Sequence, residues 1–418
     1  MVCLISAVCL AQKPDPSGDW ALPNFAYRLS VDVTNPGAGP IQALAALPVH
    51  KTAQIAPGFP GKLSIATLVE REGGKYPGVP VASQAIDLDG DGYADEFVFP
   101  VSLKGGEQRK VHIYYSAALD DTIVYSKRVH AQHAYGYNRQ TVAWESEQIG
   151  YRTYGGFFID VMARSPGHPG LFNNLAGYFA YHKSWATGRD VFHIGDTLGL
   201  GGLFLRRDGV AYRPPLNMPD YAHKPQAEVV PRYRVVADGP IRAIAEVRLD
   251  RWVVGEDEVD LLARYSIDAG DAFTRCWIQV LPRRVVADHV YEVGVGIREL
   301  PQLKSERDSG VLVVSGEQEA RAGRLGLALY FDPARAGFGT PLVTREAANQ
   351  TVVFHEKLGR GRAVVEEYAV GAAPAFSGYV DLEGQIRRQK AFVEAKVKVS
   401  GAKLEQTPQP ERVDKEAN

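Results

Sequence analysis

The sharpest grouping of chemistry-bearing side chains is Asp87-Leu88-Asp89-Gly90-Asp91-Gly92-Tyr93-Ala94-Asp95-Glu96. Carboxylates at alternate positions, a glycine for the tight reversal and a further Asp are what a hard cation with oxygen ligands needs. Counted from Asp87, the spacing matches positions 1, 3, 5, 6 and 9 of the helix–loop–helix calcium loop. The twelfth position is Val98 where a bidentate Glu is expected, with Glu96 as a substitute, and the flanking residues read as strand. Asp87, Asp89, Asp91 and Asp95 are the expected Ca2+ ligands, in a structural role. The competing reading is a solvated Asp/Gly turn between two strands.

A second constellation spans 130–199. It holds His130, His133, Tyr135, Tyr137, Arg139, Trp144, Glu145, Arg152 and Tyr154, then Tyr181, His182, Lys183, Trp185, Arg189, Asp190 and His193, and closes on Gly199 to Gly202. Flat rings beside His, Arg and Asp fit sugar recognition, in which rings stack on pyranose faces while charged forks bind hydroxyls or carboxylates. The glycines would let backbone approach a ligand closely. No Walker lysine, no G-x-G-x-x-G, no G-x-S-x-G elbow and no H-E-x-x-H pair is present, so phosphate-loop, dinucleotide, serine-hydrolase and zincin chemistry have no motif to stand on. His130 and His133 lack an evident third ligand for a transition metal.

These side chains must be positioned by strands. Tyr27, Leu29, Val31 and Val33 alternate with Arg28, Ser30 and Asp32, and Ala243, Ala245, Val247 and Leu249 alternate with Arg242, Glu246, Arg248 and Asp250. That period of two marks half-buried strands. Segments 261–268, 273–281, 290–297, 311–315, 325–331, 351–355 and 363–369 read as further strands between Gly, Pro or Asp turns. Strands in succession with few helical stretches predict an all-β, antiparallel sandwich fold. Residues 382–397 fit a helix through Leu382, Ile386, Val393 and Val397, or a strand through Val393, Ala395, Val397 and Val399. A change of character near residue 120 divides a small N-terminal sandwich, 20–118, from a larger one, 119–400, and the polar tail 403–418 is expected to be disordered.

The 418 residues carry 47 Lys plus Arg against 49 Asp plus Glu, for a net charge of −2, which argues against a bulk nucleic-acid partner. Residues 1–11, MVCLISAVCLA, are an apolar run ending in small residues, read as the remnant of a secretory signal and too short to span a bilayer. Val8 disfavours Cys9 as a lipidated cysteine. The expectation is a secreted or periplasmic protein in which Cys276, within FTRCWIQV, is a buried inert thiol.

The strings VPVASQAIDLDGDGYADEFVF, VAWESEQIGYRTYG, YHKSWATGRDVFHIGDTLGLGGL and ADGPIRAIAEVRLDRW resemble a family of exported bacterial proteins, a domain of unknown function found among polysaccharide-utilisation genes. The resemblance runs over about 25–395, and its pattern includes Glu145, Arg152, Tyr154, Tyr181, His182, Asp190 and Gly199 to Gly202, with Ser146 standing where the family has Asn. It implies a sandwich similar to the galactose-mutarotase-like supersandwich, and it hands over no settled reaction.

Two enzymatic readings and one binding reading follow. A polysaccharide lyase cleaving uronic-acid-containing glycans by β-elimination needs a carboxylate neutraliser, a base and an acid for the leaving oxygen. Arg152 or Arg139 would clamp the carboxylate, His182 would be the base, Tyr154 or Tyr137 the acid, and Lys183 would assist. A glycoside hydrolase would instead pair two carboxylates, such as Glu145 and Asp190. In a non-catalytic carbohydrate-binding protein the aromatics, Trp144 and Trp185 among them, would matter more than the carboxylates. In each case the partner is an acidic polysaccharide or oligosaccharide, with Trp144, Lys183, Trp185 and His193 as further contacts.

Overall fold

The computed structural model describes residues 20–22, 24–56, 58–60, 63–72, 75–117, 125–136, 139–154, 156–167, 170–171, 187–215, 230–302, 304–318 and 323–406. Among them strands dominate, all the pairings are antiparallel, and the fold is an all-β sandwich architecture. No helix among the described residues is long and apolar enough to cross a membrane.

The chain divides into two compact units, one of residues 1–85, 93–124 and 396–418, the other of 86–92 and 125–395. In the first, a five-stranded sheet runs in the order Lys398–Gln406, Tyr27–Thr34, Gln108–Ala117, Leu63–Arg71, Lys75–Val81, beside a three-stranded sheet of Ile41–Pro48, Glu96–Leu103 and Gln84–Ile86. Leu29, Val31 and Val33 point into one core with Leu47, Phe97, Phe99 and Val101, so the alternation seen in the sequence becomes burial of one face. The C-terminal segment departs from expectation. Residues 403–406, assigned to a disordered tail, complete the strand Lys398–Gln406, which pairs with Tyr27–Thr34 from Tyr27↔Gln406 to Thr34↔Lys398. Arg28 pairs with its Glu405 at 2.7 Å, the arginine buried and the glutamate part-exposed. A charged edge strand is easily read as tail because only Val399, Ala402 and Leu404 pack inward.

The second unit is built on two large sheets. One runs Ala336–Phe338, Ala348–Gly359, Val290–Arg298, Leu200–Arg207, Phe158–Arg164, Ile149–Tyr154, Arg139–Ser146, Val129–Gly136, with Gly188–Asp190 paired onto Phe158–Arg164. The other runs Arg232–Asp238, Arg242–Val254, Asp257–Asp268, Phe273–Arg284, Val364–Pro374, Gly323–Tyr330, Val311–Gln318, Lys304–Asp308. Their apolar faces share one core that includes Trp144, Tyr151, Val161, Leu203, Val247, Leu261, Tyr265, Ile278, Val295 and Val370. The ambiguous stretch is a helix, Leu382–Val393, capped by Asp381 accepting from the Gly384 amide at 2.8 Å. Leu382 and Ile386 lie on Phe273, Val313, Ala328, Tyr330 and Ala373, which covers part of the second sheet's outer face. Cys276 lies sealed in the core, where burial pushes its thiol far above the usual range, so it is no nucleophile at neutral pH.

Candidate functional site

Register decides which side chains meet. Trp144 pairs with Tyr151 and Tyr151 with Val161, and this row faces the core. The flanking rows face the other way: Ala143, Arg152 and Asp160 in one, Glu145, Gly150, Met162 and Asp190 in the next. An outward face would ordinarily be wet. Here Arg152 is 3% exposed, Asp160 and Asp190 2% each, and Glu145 0%.

Ionised groups so buried need partners. Arg152 Nη2 donates to Asp160 Oδ2 at 2.5 Å and to Asp190 Oδ2 at 3.0 Å. The Val161 amide donates to Asp160 Oδ1 at 2.8 Å, and the Phe192 amide to Asp190 Oδ1 at 3.3 Å. Two carboxylates thus share one guanidinium nitrogen. Burial, followed by the charge of Asp160, holds the Asp190 carboxyl well above the usual carboxylate range, against the pull of Arg152. Burial also raises Asp160, with Arg152 opposing. Both carboxyls are thus held above the usual range, Asp190 the further of the two. A carboxylic acid beside a carboxylate is the requirement for acid–base work on one substrate.

The edge of this cluster is the segment 191–198. His193 Nε2 lies 3.5 Å from Glu346 Oε2, each side chain being 28% exposed, and the Arg298 guanidinium donates to the His193 carbonyl. Arg213 Nη2 pairs with Asp196 Oδ1 at 2.7 Å, and Asn349 Oδ1 accepts from the Leu198 amide at 2.8 Å.

Several expected roles are corrected by these positions. Trp144 is no stacking platform: it is sealed, its Nε1 donates to Thr274 Oγ1 at 2.9 Å, and its ring stacks on Tyr265 at 4.8 Å. Glu145 does not form the second carboxylate beside Asp190: it is sealed against Arg164, whose Nη2 lies 2.8 Å from its Oε2, while Asp190 shares Arg152 with Asp160. Arg152 is no open clamp for a substrate carboxylate, since two carboxylates of the chain itself occupy it. Gly199 to Gly202 serve packing instead of ligand approach. A Cβ on Gly201, at φ +77°, would sit 2.7 Å from Val370 Cγ1, and one on Gly202 would sit 2.2 Å from the Leu198 carbonyl oxygen. Asp190 does meet Arg152, while His193, three residues on, lies against Glu346. Arg139 and Tyr154 lie on the strands Arg139–Ser146 and Ile149–Tyr154. Tyr137, His182, Lys183 and Trp185 lie outside the described residues.

Sequence reading missed Asp160 and Glu346. The first had a signal, a lone carboxylate in the run Phe157-Phe158-Ile159-Asp160-Val161-Met162; the second had none. It also missed Asp257, a sealed carboxylate that accepts from His289 Nδ1 at 2.6 Å, the Val286 amide at 2.9 Å and the Tyr291 hydroxyl. That set of donors holds Asp257 below the usual carboxylate range despite its burial, and marks a clasp between strand ends.

In the acidic loop, carboxylate oxygens of Asp87, Asp89 and Asp95 lie within 4.8 Å of one another. Asp87 accepts from the Gly90 and Gly92 amides at 2.6 and 2.8 Å, which lowers its carboxyl below the ordinary value. Both glycines have positive φ, +87° and +92°, which other residues adopt only with strain. Asp91 stands outside the trio, its amide donating to Asp89 Oδ1 at 3.0 Å. Arg234 Nη2 and Arg264 Nη2 donate to the Leu88 carbonyl at 2.6 and 3.0 Å, and Glu246 braces both arginines.

The strands that carry this cluster fall within residues 74–375, which match a domain of unknown function, DUF4861. The chain belongs to that family. A relative, the uncharacterized protein P7 of Formosa agariphila, is 24% identical over 240 residues, 52% of this chain and 54% of that protein. The DUF4861 chain therefore spans about half the length of the curated relative it matches. Two solved structures are similar at 8% identity. One is a protein in glycosyl hydrolase family 38 from Enterococcus faecalis, with a TM-score of 0.48 over 91% of this chain and 48% of that one. The other is an alpha-mannosidase from Enterococcus faecalis V583, with a TM-score of 0.47 over 91% and 46%. These likenesses do not place an active site in the DUF4861 chain.

Proposed function

We propose that this protein is a carbohydrate-active enzyme that works outside the cytoplasm on acidic glycans, with Asp190 as the acid and Asp160 as its ionised partner, a pair that substrate binding has to uncover because each is 2% exposed. The observation that carries the reading is the sealed pair of carboxyls on one guanidinium nitrogen. Burial raises Asp190 well above the usual carboxylate range and Asp160 less far, and a separation of that kind is what glycoside hydrolysis uses to divide labour between two carboxyls. The density of Tyr, Trp, His and Arg through 130–199 supports a sugar as the substrate.

β-Elimination on a uronate-containing chain is the second reading. It is supported by the part-exposed imidazole of His193, three residues along the chain from Asp190, since an imidazole is a base of the right kind. Because Arg152 is occupied, elimination would have to neutralise the substrate carboxylate with another cation, which ranks it below acid-catalysed hydrolysis. Incubation with pectic, ulvan-like, alginate-like and glycosaminoglycan chains separates the two, following reducing ends and ultraviolet absorbance together. Hydrolysis gives reducing ends without absorbance, and elimination gives both. Binding with neither signal would overturn the enzymatic reading.

The acidic loop suits Ca2+ as a structural ion held by Asp87, Asp89 and Asp95, with water completing the shell. A saturating 100-fold excess of Ca2+ over its Kd is then expected to stabilise the protein by about 2.7 kcal/mol. Thermal melts with Ca2+ and with chelator test this, and Asp89→Asn should erase the difference. Identical melts in both conditions would remove calcium from the account.

A further inference from the structure

Arg28, Arg152 and Arg164 are buried arginines, and each holds a carboxylate: Glu405, the Asp160 and Asp190 pair, and Glu145. Arg298 is buried to the same degree, at 6% exposed, yet no carboxylate among the described residues pairs with it. Its Nη1 donates to the His193 carbonyl, while its Nε is buried and makes no hydrogen bond. Carboxylates of the neighbouring segments are engaged elsewhere: Glu299 with Gln350, Asp196 with Arg213 at 2.7 Å, and Glu346 with His193 at 3.5 Å. A buried cation without a counter-ion is costly, and an anion that joins it removes the cost.

The sheet fixes where this cation points. Ile297 packs in the shared core, so Arg298, the next residue of Val290–Arg298, faces the opposite side, the side that carries Arg152 and Asp160. The Arg298 amide donates to the Gly199 carbonyl at 2.8 Å, which holds the strand end in place. Segment 191–198 lies on that side. The Phe192 amide donates to Asp190, the next carbonyl, that of His193, accepts from Arg298, and a Cβ on Gly296 would sit 2.5 Å from Leu198 Cδ1. The acid and the uncompensated cation are therefore bonded to consecutive residues of one segment.

We propose that Arg298 is the anion-binding residue of the site and receives an oxyanion group of the glycan, a uronate carboxylate or a sulfate ester. This rests on the reading that the substrate is an acidic glycan, and it names the residue that recognises the acid. The Nε and Nη2 groups of a guanidinium lie side by side and match two oxygens of one oxyanion. Binding has to uncover the guanidinium, and His193, whose carbonyl it already touches, has a side chain 28% exposed at the surface. Hydrolysis and elimination are both served by a cation at this position, so the assignment is independent of which of them occurs.

The test is calorimetric titration of the full chain with galacturonate oligomers, with sulfated galactose oligomers, and with neutral galactose oligomers of equal length. The parent should bind an acidic oligomer, and Arg298→Met should weaken that binding by about 10-fold or more, the worth of a hydrogen bond to a charged group. Affinity for the neutral oligomer should not change. Arg298→Lys keeps the charge without the fork, so its affinity should fall between the two. The acidic oligomer whose binding depends on Arg298 names the source of the anion. Equal affinities in parent and Arg298→Met, or a parent that binds no acidic oligomer better than the neutral one, overturn the assignment. Thermal melts without sugar test the missing counter-ion. Arg298→Met should melt no lower than the parent, and a loss as large as that of Arg152→Met would make Arg298 a structural residue. On an acidic polysaccharide, Arg298→Met should raise KM by a larger factor than it lowers kcat. Binding that depends on Arg298 with no turnover on any glycan would sink the enzymatic reading and leave the anion site standing, whereas turnover with KM unmoved in Arg298→Met would sink only the site.

Discussion

Arg152→Met is expected to cost about 3–5 kcal/mol of folding stability at pH 8, the loss seen when one partner of a buried ion network is removed. Methionine fills most of the arginine's volume, so the loss is one of charge compensation and not of packing. Asp160 and Asp190 would be left sealed with no cation between them. Their carboxyls already sit above the usual range, and removing Arg152 raises them further. A carboxyl whose folded pKa is raised favours the folded state while protonated. Its contribution falls as pH climbs from the unfolded value near 3.8 through the folded one. Denaturant unfolding at pH 5 and pH 8 should therefore show a smaller loss at the lower pH. Equal losses at the two pH values would mean that Arg152 acts through packing alone.

Asp190→Asn pulls activity and stability in opposite directions. Asparagine copies the neutral acid in shape but holds no transferable proton, so turnover should fall by about 10²–10⁴-fold, the usual worth of a positioned acid. Stability should not fall with it. The substitution leaves Arg152 and Asp160 as a one-to-one pair and removes the cost of a second ionisable group in a sealed site. Parent stability should decline as pH rises above the ordinary carboxylate value, because the folded pKa is raised, while the variant should decline less. Thermal melts from pH 4 to 8 beside rates on the best glycan measure both. A variant destabilised by more than about 2 kcal/mol at pH 7 would show that Asp190 is a structural counter-ion of Arg152.

How far the site could be read in the sequence depends on which face a residue takes. The strands themselves were plain: Tyr27 to Val33 and Ala243 to Leu249 alternate, and both lie in strands with the apolar set inward. The density of aromatic and charged residues across 130–199 was plain too, but composition carries no register. Trp144 and Glu145 are neighbours in sequence, and a strand sends them to opposite faces, one into the core and one against Arg164. Asp160 showed itself as a charge inside an apolar run, yet its meaning came from standing opposite Arg152. Glu346 could not be anticipated, since 151 residues separate it from Gly195 and only the fold brings them into contact. The strand Lys398–Gln406 hid because its outward side chains are charged and its inward ones few.

The most direct measurement is the infrared carbonyl band of a protonated carboxylic acid, recorded on the parent protein and on Asp190→Asn between pH 5 and pH 8. A protonated-acid band should persist in the parent at neutral pH and be missing from the variant's spectrum at the same pH. Parent and variant spectra that superimpose in that region would mean Asp190 is fully ionised, and an acid at this position would have to be given up.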